Sequence, residues 1–339
     1  MTARTLWCGA PAQTLLAGET MGTTWSVTLA RPDPKAREAV QARLDAVNAA
    51  MSTWDPDSEL SRFNAHESAE PFGLSDGTLR VMALAQEVSA ASGGAFDVTV
   101  RPLVAAWGFG AGARLPGAGP NEAALALLRA RVGFERLELD LVGRTASKGH
   151  PKLEVDLSAI AKGFGVDEAA RALSLLGHER FLVEVGGEVS ARGERPGGGP
   201  WRLAIERPEP DGRAVHGVVE LLDVSMATSG DYRSFYEQEG ERLTHIVDPR
   251  VGRPVSHALA SVSVVHEDAA TADAWATALT VLGPEEGPEV AEALGIAAYF
   301  IVRTQSGSYT TRSTGAFPPV RVVERATEAA PPDVEGQTR

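Results

Sequence analysis

What most constrains this chain is the order in which its apolar residues change period. Near the start, Trp25, Val27 and Leu29 alternate with small polar residues over 24–30, a strand stopped by Pro32 and Pro34. Ala36, Val40, Leu44, Val47 and Ala50 then recur at three- and four-residue steps, which predicts a core-facing helix over 35–51. Ser75-Asp76 opens a second helix over 79–91, closed by Gly93-Gly94. A helix over 122–131, a strand over 135–139 and a helix over 158–176 follow, the last ending at Gly177. Strands are then read at 181–185, 202–205, 218–222 and 260–265. A helix over 269–282 is stopped by Gly283-Pro284, and a short helix at 290–294 leads into a last core strand at 297–303. Helices mixed with runs of strands, without a steady strand-helix repeat, predict an α+β fold of two lobes, mixed sheets and flanking helices.

The glycine- and proline-rich stretches 108–120 and 193–200 read as exposed loops, not as linkers between independent domains. The expected organisation is an N-terminal extension over 1–18, one two-lobed domain over 19–325 and a polar tail over 326–339. That tail contains Pro331-Pro332 and is expected to be disordered.

Composition narrows the partners. With 339 residues, 43% hydrophobic and 23% charged, the chain has ample material for a core. No run approaches the roughly 18 apolar residues of a transmembrane helix. A net charge of -13 repels polyanions, which argues against nucleic acid as a partner. By the same reasoning, any phosphate-bearing ligand needs a metal ion or local cations at its site. The single cysteine, Cys8, excludes an internal disulfide, and no Cys/His zinc spacing occurs. Leu6-Trp7-Cys8-Gly9 looks superficially like a lipoprotein cleavage box, but the apolar stretch of about 7–15 residues that a secretory signal needs does not precede it. The expected location is cytoplasmic as the sequence stands, or periplasmic or membrane-anchored if an export signal is missing.

Several segments carry candidate chemistry. Gly108-Phe109-Gly110-Ala111-Gly112-Ala113 matches the dinucleotide fingerprint formally, but Leu115-Pro116-Gly117 follows where that fingerprint needs a helix, so it reads as a loop. Asp156-Leu157-Ser158-Ala159-Ile160-Ala161-Lys162-Gly163 ends a strand with a carboxylate and begins a helix at once. Asp156 or Ser158 as a plain helix cap is an equal reading to an anion site supported by Lys162. Asp273 and Thr277, four residues apart on one helix, are hard oxygen donors one turn from each other and suit Mg²⁺, although two surface residues would look the same. Trp275 and Leu279 on that helix read as core. His245, in Thr244-His245-Ile246-Val247-Asp248-Pro249, is either structural or a general base. Thr228-Ser229-Gly230-Asp231-Tyr232-Arg233 is a crowded polar stretch whose plain reading is a turn with a surface ion pair.

Taken together, these fragments resemble the ApbE family, the FAD:protein FMN transferases or flavin transferases. The resemblance covers 19–303 and rests on Met21-Gly22-Thr23, the stretch 51–64 containing Thr53-Trp54-Asp55-Pro56, and 94–103 containing Ala95-Phe96-Asp97. It continues through Trp107-Gly108-Phe109-Gly110, residues 156–163, Val185-Gly186-Gly187-Glu188, 227–233, 245–254 and Ala272-Asp273-Ala274.

What the resemblance implies is a site for FAD between the lobes and transfer of its FMN half to a threonine or serine hydroxyl of an acceptor flavoprotein. A phosphoester forms and AMP leaves, with Mg²⁺ required. Met21, Trp54, Ala95, Phe96, Asp97, Asp156, Lys162 and Val247 match FAD-contacting positions of the family. The metal ligands carry over to the Ala159 carbonyl, the Asp273 carboxylate and the Thr277 hydroxyl. Many members have tyrosine where this chain has Trp54, an exchange compatible with aromatic stacking. A divalent ion at that place would resolve the conflict between a protein of charge -13 and a pyrophosphate. An alcohol nucleophile also needs a proton acceptor. His245 is assigned that role, and Asp273 counts as catalytic through the ion it would hold. Two other expectations stand beside transfer: a metal-dependent FAD pyrophosphatase giving FMN and AMP, and an FAD-binding carrier without turnover.

Overall fold

The computed structural model describes residues 13–111, 119–209, 212, 214–238 and 241–323. Residues 1–12 with Cys8, residues 112–118 within the expected 108–120 loop, and the tail 326–339 lie outside the described residues.

Strands β1 (Thr14–Thr20) and β2 (Thr23–Leu29) form a hairpin. Its two-residue turn, Met21-Gly22, has positive φ at both positions (47° and 71°), the twist-matched geometry of tight hairpins. Helix α1 (Ala36–Met51) buries Ala36, Val40, Leu44 and Val47, as its periodicity predicts, and then Met51 in place of Ala50, which is half-buried. Next come α2 (Glu59–Ala65), the short β3 (Phe72–Gly73) and α3 (Asp76–Ala91), whose cap Ser75 accepts from the Thr78 N–H. Helices α4 (Arg101–Ala106) and α5 (Glu122–Arg129) precede β4 (Leu137–Asp140) and β5 (Thr145–Lys148). Helix α6 (Ala161–Leu175) leads to β6 (Phe181–Val185), β7 (Glu188–Arg192), β8 (Trp201–Glu206), β9 (Val215–Leu221) and β10 (Val224–Gly230). Two small hairpins follow, β11 (Phe235–Gln238) with β12 (Glu241–Thr244) and β13 (Val247–Asp248) with β14 (Arg253–Pro254). The described chain closes with β15 (Leu259–His266), α7 (Ala269–Ala293), β16 (Ala297–Arg303), β17 (Tyr309–Thr314) and β18 (Arg321–Val322).

The α+β expectation holds. Eight strands form one antiparallel sheet in the order β1-β2-β6-β7-β10-β15-β16-β17. Alternation along each strand feeds two different cores. On β16, Ala298 and Phe300 face the core shared with α3 and α7, while Tyr299 and Ile301 face the one shared with β8 and β9. Helices thus cover one face and the three-stranded sheet β18-β9-β8 covers part of the other. That double cover explains why β15 is buried at every position from Leu259 to Val264. One continuous core runs from α3 through α7 to β16, so the two regions of the fold are not independently packed.

Four local expectations change. Strand β1 takes in residues 14–18, read from sequence as part of an extension; it is a half-exposed edge strand with little apolar alternation to announce it. The predicted stop at Gly283 is a break inside α7, where Gly283 leaves helical geometry (φ 84°, ψ -173°) before the helix resumes. No strand ends at Asp156; residues 153–157 belong to no helix and to no ladder. Helix α6 begins at Ala161, not at 158, and neither Asp156 nor Ser158 caps it. The Asp156 carboxylate instead closes a local turn, accepting from the Ser158 N–H (2.9 Å) and hydroxyl.

Gly163 lets α6 cross α7 at close range, since a Cβ there would stand 2.3 Å from the Ala269 carbonyl oxygen. Gly163→Ala therefore lowers stability by about 1–3 kcal/mol, the usual cost of overpacking, and widens the gap between the start of α6 and α7. Urea midpoints of the two proteins check this; equal midpoints would show that the crossing tolerates a methyl group.

Candidate active site

A cavity of about 1180 Å³ opens between the eight-stranded sheet, the β8–β9 pair and the 94–110 segment. Its walls bring together residues from distant parts of the chain. Ala95, Phe96 and Asp97 line one side, with Phe109, His245 and Val247 nearby; Asp156, Ala159, Lys162, Asp273 and Thr277 line another. Of the residues expected to meet FAD, Met21 and Trp54 are outside this lining. Met21 packs over Gly165 and Leu44, filling the space that a side chain at Gly165 would need. Trp54 stands 74% exposed on a loop whose N–H groups at Trp54 and Asp55 donate to the Ser52 hydroxyl.

The oxygen-rich end is built by the contact of α6 with α7. In a regular helix the Gly163 N–H would bond the Ala159 carbonyl. Helix α6 begins only at Ala161, however, so this N–H is one of the donors its first turn leaves without an acceptor; it donates to Asp273 Oδ2 at 3.0 Å, which fixes the carboxylate, and the Ala159 carbonyl, before the helix start, stays outside helix pairing. Asp273 is 4% exposed, so the surface reading of the Asp273–Thr277 pair is overturned. The reason was visible in the sequence, because the first half of α7, residues 269–282, carries Asp273 as its one charged side chain and is apolar on nearly every face, the pattern of a buried helix segment. Thr280 uses its hydroxyl on the Ala276 carbonyl (2.7 Å), whereas Thr277 lines the cavity. One carboxylate, one hydroxyl and one backbone carbonyl outside helix pairing form a hard-oxygen set of the kind that suits Mg²⁺. Among the described residues, no cluster of three His, Cys, Asp or Glu side chains offers an alternative metal site.

Lys162 stands beside this set. Its ammonium is 2.6 Å from Glu188 Oε1 and 3.8 Å from Asp273 Oδ1. Burial alone would lower its pKa, but the charges of Asp273 and Glu188 outweigh burial and raise it. Glu188 was quoted from sequence only as part of a motif. The signal that could have found it is the Gly186-Gly187 pair, with φ of 62° and 112°, a tight turn that sets Glu188 at the first position of β7 and aims it inward.

His245 also lines this cavity, and its Nδ1 is 3.1 Å from the Ser234 carbonyl. A carbonyl can only accept, so Nδ1 carries the hydrogen in the neutral ring and Nε2 keeps a free lone pair. The ring edge is open to the cavity while the protein packed around it lowers its pKa; the Lys162 charge adds to this and the Ser234 carbonyl opposes it. Phe109 meets His245 edge-on (6.4 Å between centroids) and stacks on Tyr236 (5.3 Å), whose hydroxyl donates to the Trp107 carbonyl. Sequence reasoning missed this aromatic brace, because its members come from separate segments.

Two other expected polar groups act in the scaffold. Burial raises the pKa of Asp97, yet the Thr99 N–H and hydroxyl (both 2.7 Å) and the Phe134 N–H (2.9 Å) satisfy its oxygens, bracing the cavity wall. Asp231 is buried and clamped by both terminal guanidinium nitrogens of Arg303, whereas Arg233 forms a partly exposed ion pair with Glu206, so the surface ion pair read from sequence for 228–233 involves Arg233 and not Asp231. Asp248, three residues after His245, pairs with Arg250 (2.9 Å).

The ApbE family model matches residues 21–300. The chain belongs to the ApbE family. The FAD:protein FMN transferase of Vibrio cholerae is 44% identical, over 92% of this chain and 94% of that protein. That of Haemophilus influenzae is 43% identical, over 89% and 90%. The crystal structure of a flavin transferase ApbE from Vibrio cholerae superposes with a TM-score of 0.83 at 43% identity, covering 90% of this chain and 98% of that one. The apo form of the Pseudomonas stutzeri flavinyl transferase ApbE gives 0.82 at 37%, covering 89% and 95%. These ApbE relatives span nearly the whole length described above, both sides of the cavity included.

Proposed function

We propose that this chain transfers the FMN half of FAD to a threonine or serine hydroxyl of an acceptor flavoprotein, with a divalent cation such as Mg²⁺ at the α6–α7 contact. The observation that carries this reading is the meeting, in one cavity of an ApbE-family chain, of a histidine with a free Nε2 and a hard-oxygen set made of Asp273, Thr277 and the backbone of Ala159.

In the proposed reaction the acceptor oxygen attacks the FMN phosphorus. The bond from that phosphorus to the oxygen bridging to AMP breaks, and AMP departs with the bond's electron pair. The hydroxyl proton passes to His245 Nε2, which is within the same cavity and unprotonated in the neutral ring. Ala159, Asp273 and Thr277 would hold the cation, and when bound it supplies charge stabilisation for phosphoryl oxygens and the leaving group. Lys162 adds a fixed positive charge on the same wall, which a protein of net charge -13 needs wherever a pyrophosphate enters.

Mass spectrometry of an acceptor flavoprotein incubated with this chain, FAD and Mg²⁺ tests the reading. The acceptor gains the mass of FMN, less water, and the gain disappears with chelator. Free FMN and AMP with an unmodified acceptor would establish hydrolysis instead, and unchanged FAD would establish carriage.

A further inference from the structure

We propose that Glu188 sets how tightly the α6–α7 site takes up a divalent cation, by holding the Lys162 ammonium away from Asp273. The inference rests on the reading of Asp273 as a cation ligand.

Three observations converge. The Gly163 N–H occupies one acceptor site of Asp273 Oδ2, which makes Oδ1, without a backbone donor, the more available oxygen for a cation, and Oδ1 is the atom that Lys162 approaches at 3.8 Å. Lys162 and a divalent ion therefore compete for one carboxylate oxygen, and like charges that close repel. The shorter contact of Lys162 is with Glu188, at 2.6 Å. Glu188 is 2% exposed, lines the cavity, and its second oxygen, Oε2, has no hydrogen-bond partner among the described residues. A buried, unpaired carboxylate oxygen is costly unless a donor reaches it. The ammonium has three hydrogens and can swing onto Oε2 as a cation arrives at Oδ1. Its stem is guided in that direction, since Lys162 Cδ lies against the Gly186 turn where a Cβ would come within 3.3 Å. Glu188 is thus a positioning residue: it gives Lys162 a place to go.

The test is a double-mutant cycle read by Mn²⁺ binding to the full chain without FAD, using the paramagnetic resonance signal of free Mn²⁺. Glu188→Gln, which keeps size but removes the charge that retains Lys162, weakens binding by about tenfold. Glu188→Asp, which keeps the charge, stays within about threefold. In a Lys162→Met background, where no ammonium competes, adding Glu188→Gln changes binding by less than about twofold. Native melting curves for each variant confirm that the folded protein is measured. Binding by Glu188→Gln within twofold of wild type would overturn the proposal. An equal loss in both backgrounds would overturn it too, since Glu188 would then act through its own charge. If wild type binds no Mn²⁺, the ligand reading fails and this proposal falls with it, an outcome distinct from the other two.

Discussion

His245→Ala lowers FMN transfer by about 10²–10⁴-fold, the usual worth of a positioned general base, while FAD binding stays close to wild type. The ring is fixed through Nδ1 on the Ser234 carbonyl and by the edge of Phe109, so its removal takes away a proton acceptor and little of the fold. The same assignment dictates a pH profile. The folded-state pKa of His245 is lowered below the ordinary value of 6.5, by burial first and by Lys162 second. The neutral, competent ring therefore persists through neutrality, and kcat/KM declines on the acid side with an apparent pKa below 6.5. The linked stability has the same sign. Because the unfolded ring takes up its proton near 6.5 and the native ring only at lower pH, this contribution is present above 6.5 and is lost as pH falls through the native pKa. Transfer rates of His245→Ala within threefold of wild type, or an acid limb centred above 6.5, would remove the histidine from the mechanism.

Asp273→Asn lowers transfer by about 10²-fold or more and abolishes measurable Mn²⁺ uptake. The replaced group is the one carboxylate of the oxygen set, and a cation's stabilisation of phosphoryl charge is worth several kcal/mol. Asparagine keeps an oxygen that can accept from the Gly163 N–H, so the α6–α7 contact survives and the loss reports on charge. Chelator reproduces the effect in wild type and adds little to the variant. A variant that keeps wild-type dependence on Mg²⁺ would place the cation elsewhere.

Much of the fold was legible because apolar periodicity is local. The stripe of α1, the serine cap of α3 and the alternation of β2 are each written within some sixteen residues of sequence. Elements without a clean apolar period escaped: the edge strands β1 and β17, the seven-residue α2, and also the buried interior strands β7 and β10, where Glu188, Ser190, Ser225 and Thr228 interrupt the apolar alternation. Of the residues proposed for the site, most share one cavity, whereas Met21 and Trp54 sit outside it. Met21 is spent on a packing gap over Gly165, a demand made by a helix more than a hundred residues away.

The amino-acid sequence by itself determined the kinds of element, the hard-oxygen and imidazole chemistry available, and membership of a lineage recognisable from short motifs in a set order. Tertiary structure alone decided which atoms are free to act. Asp273, 110 residues after Gly163, satisfies an N–H that the first turn of α6 leaves without an acceptor and is thereby fixed beside the Ala159 carbonyl and Thr277 on the cavity wall, and the fate of the Lys162 ammonium hangs on Glu188 across a glycine turn. Hydrogen bonds depend on distances of a few tenths of an ångström between groups far apart along the chain, and residue order carries no such distances until the chain has packed.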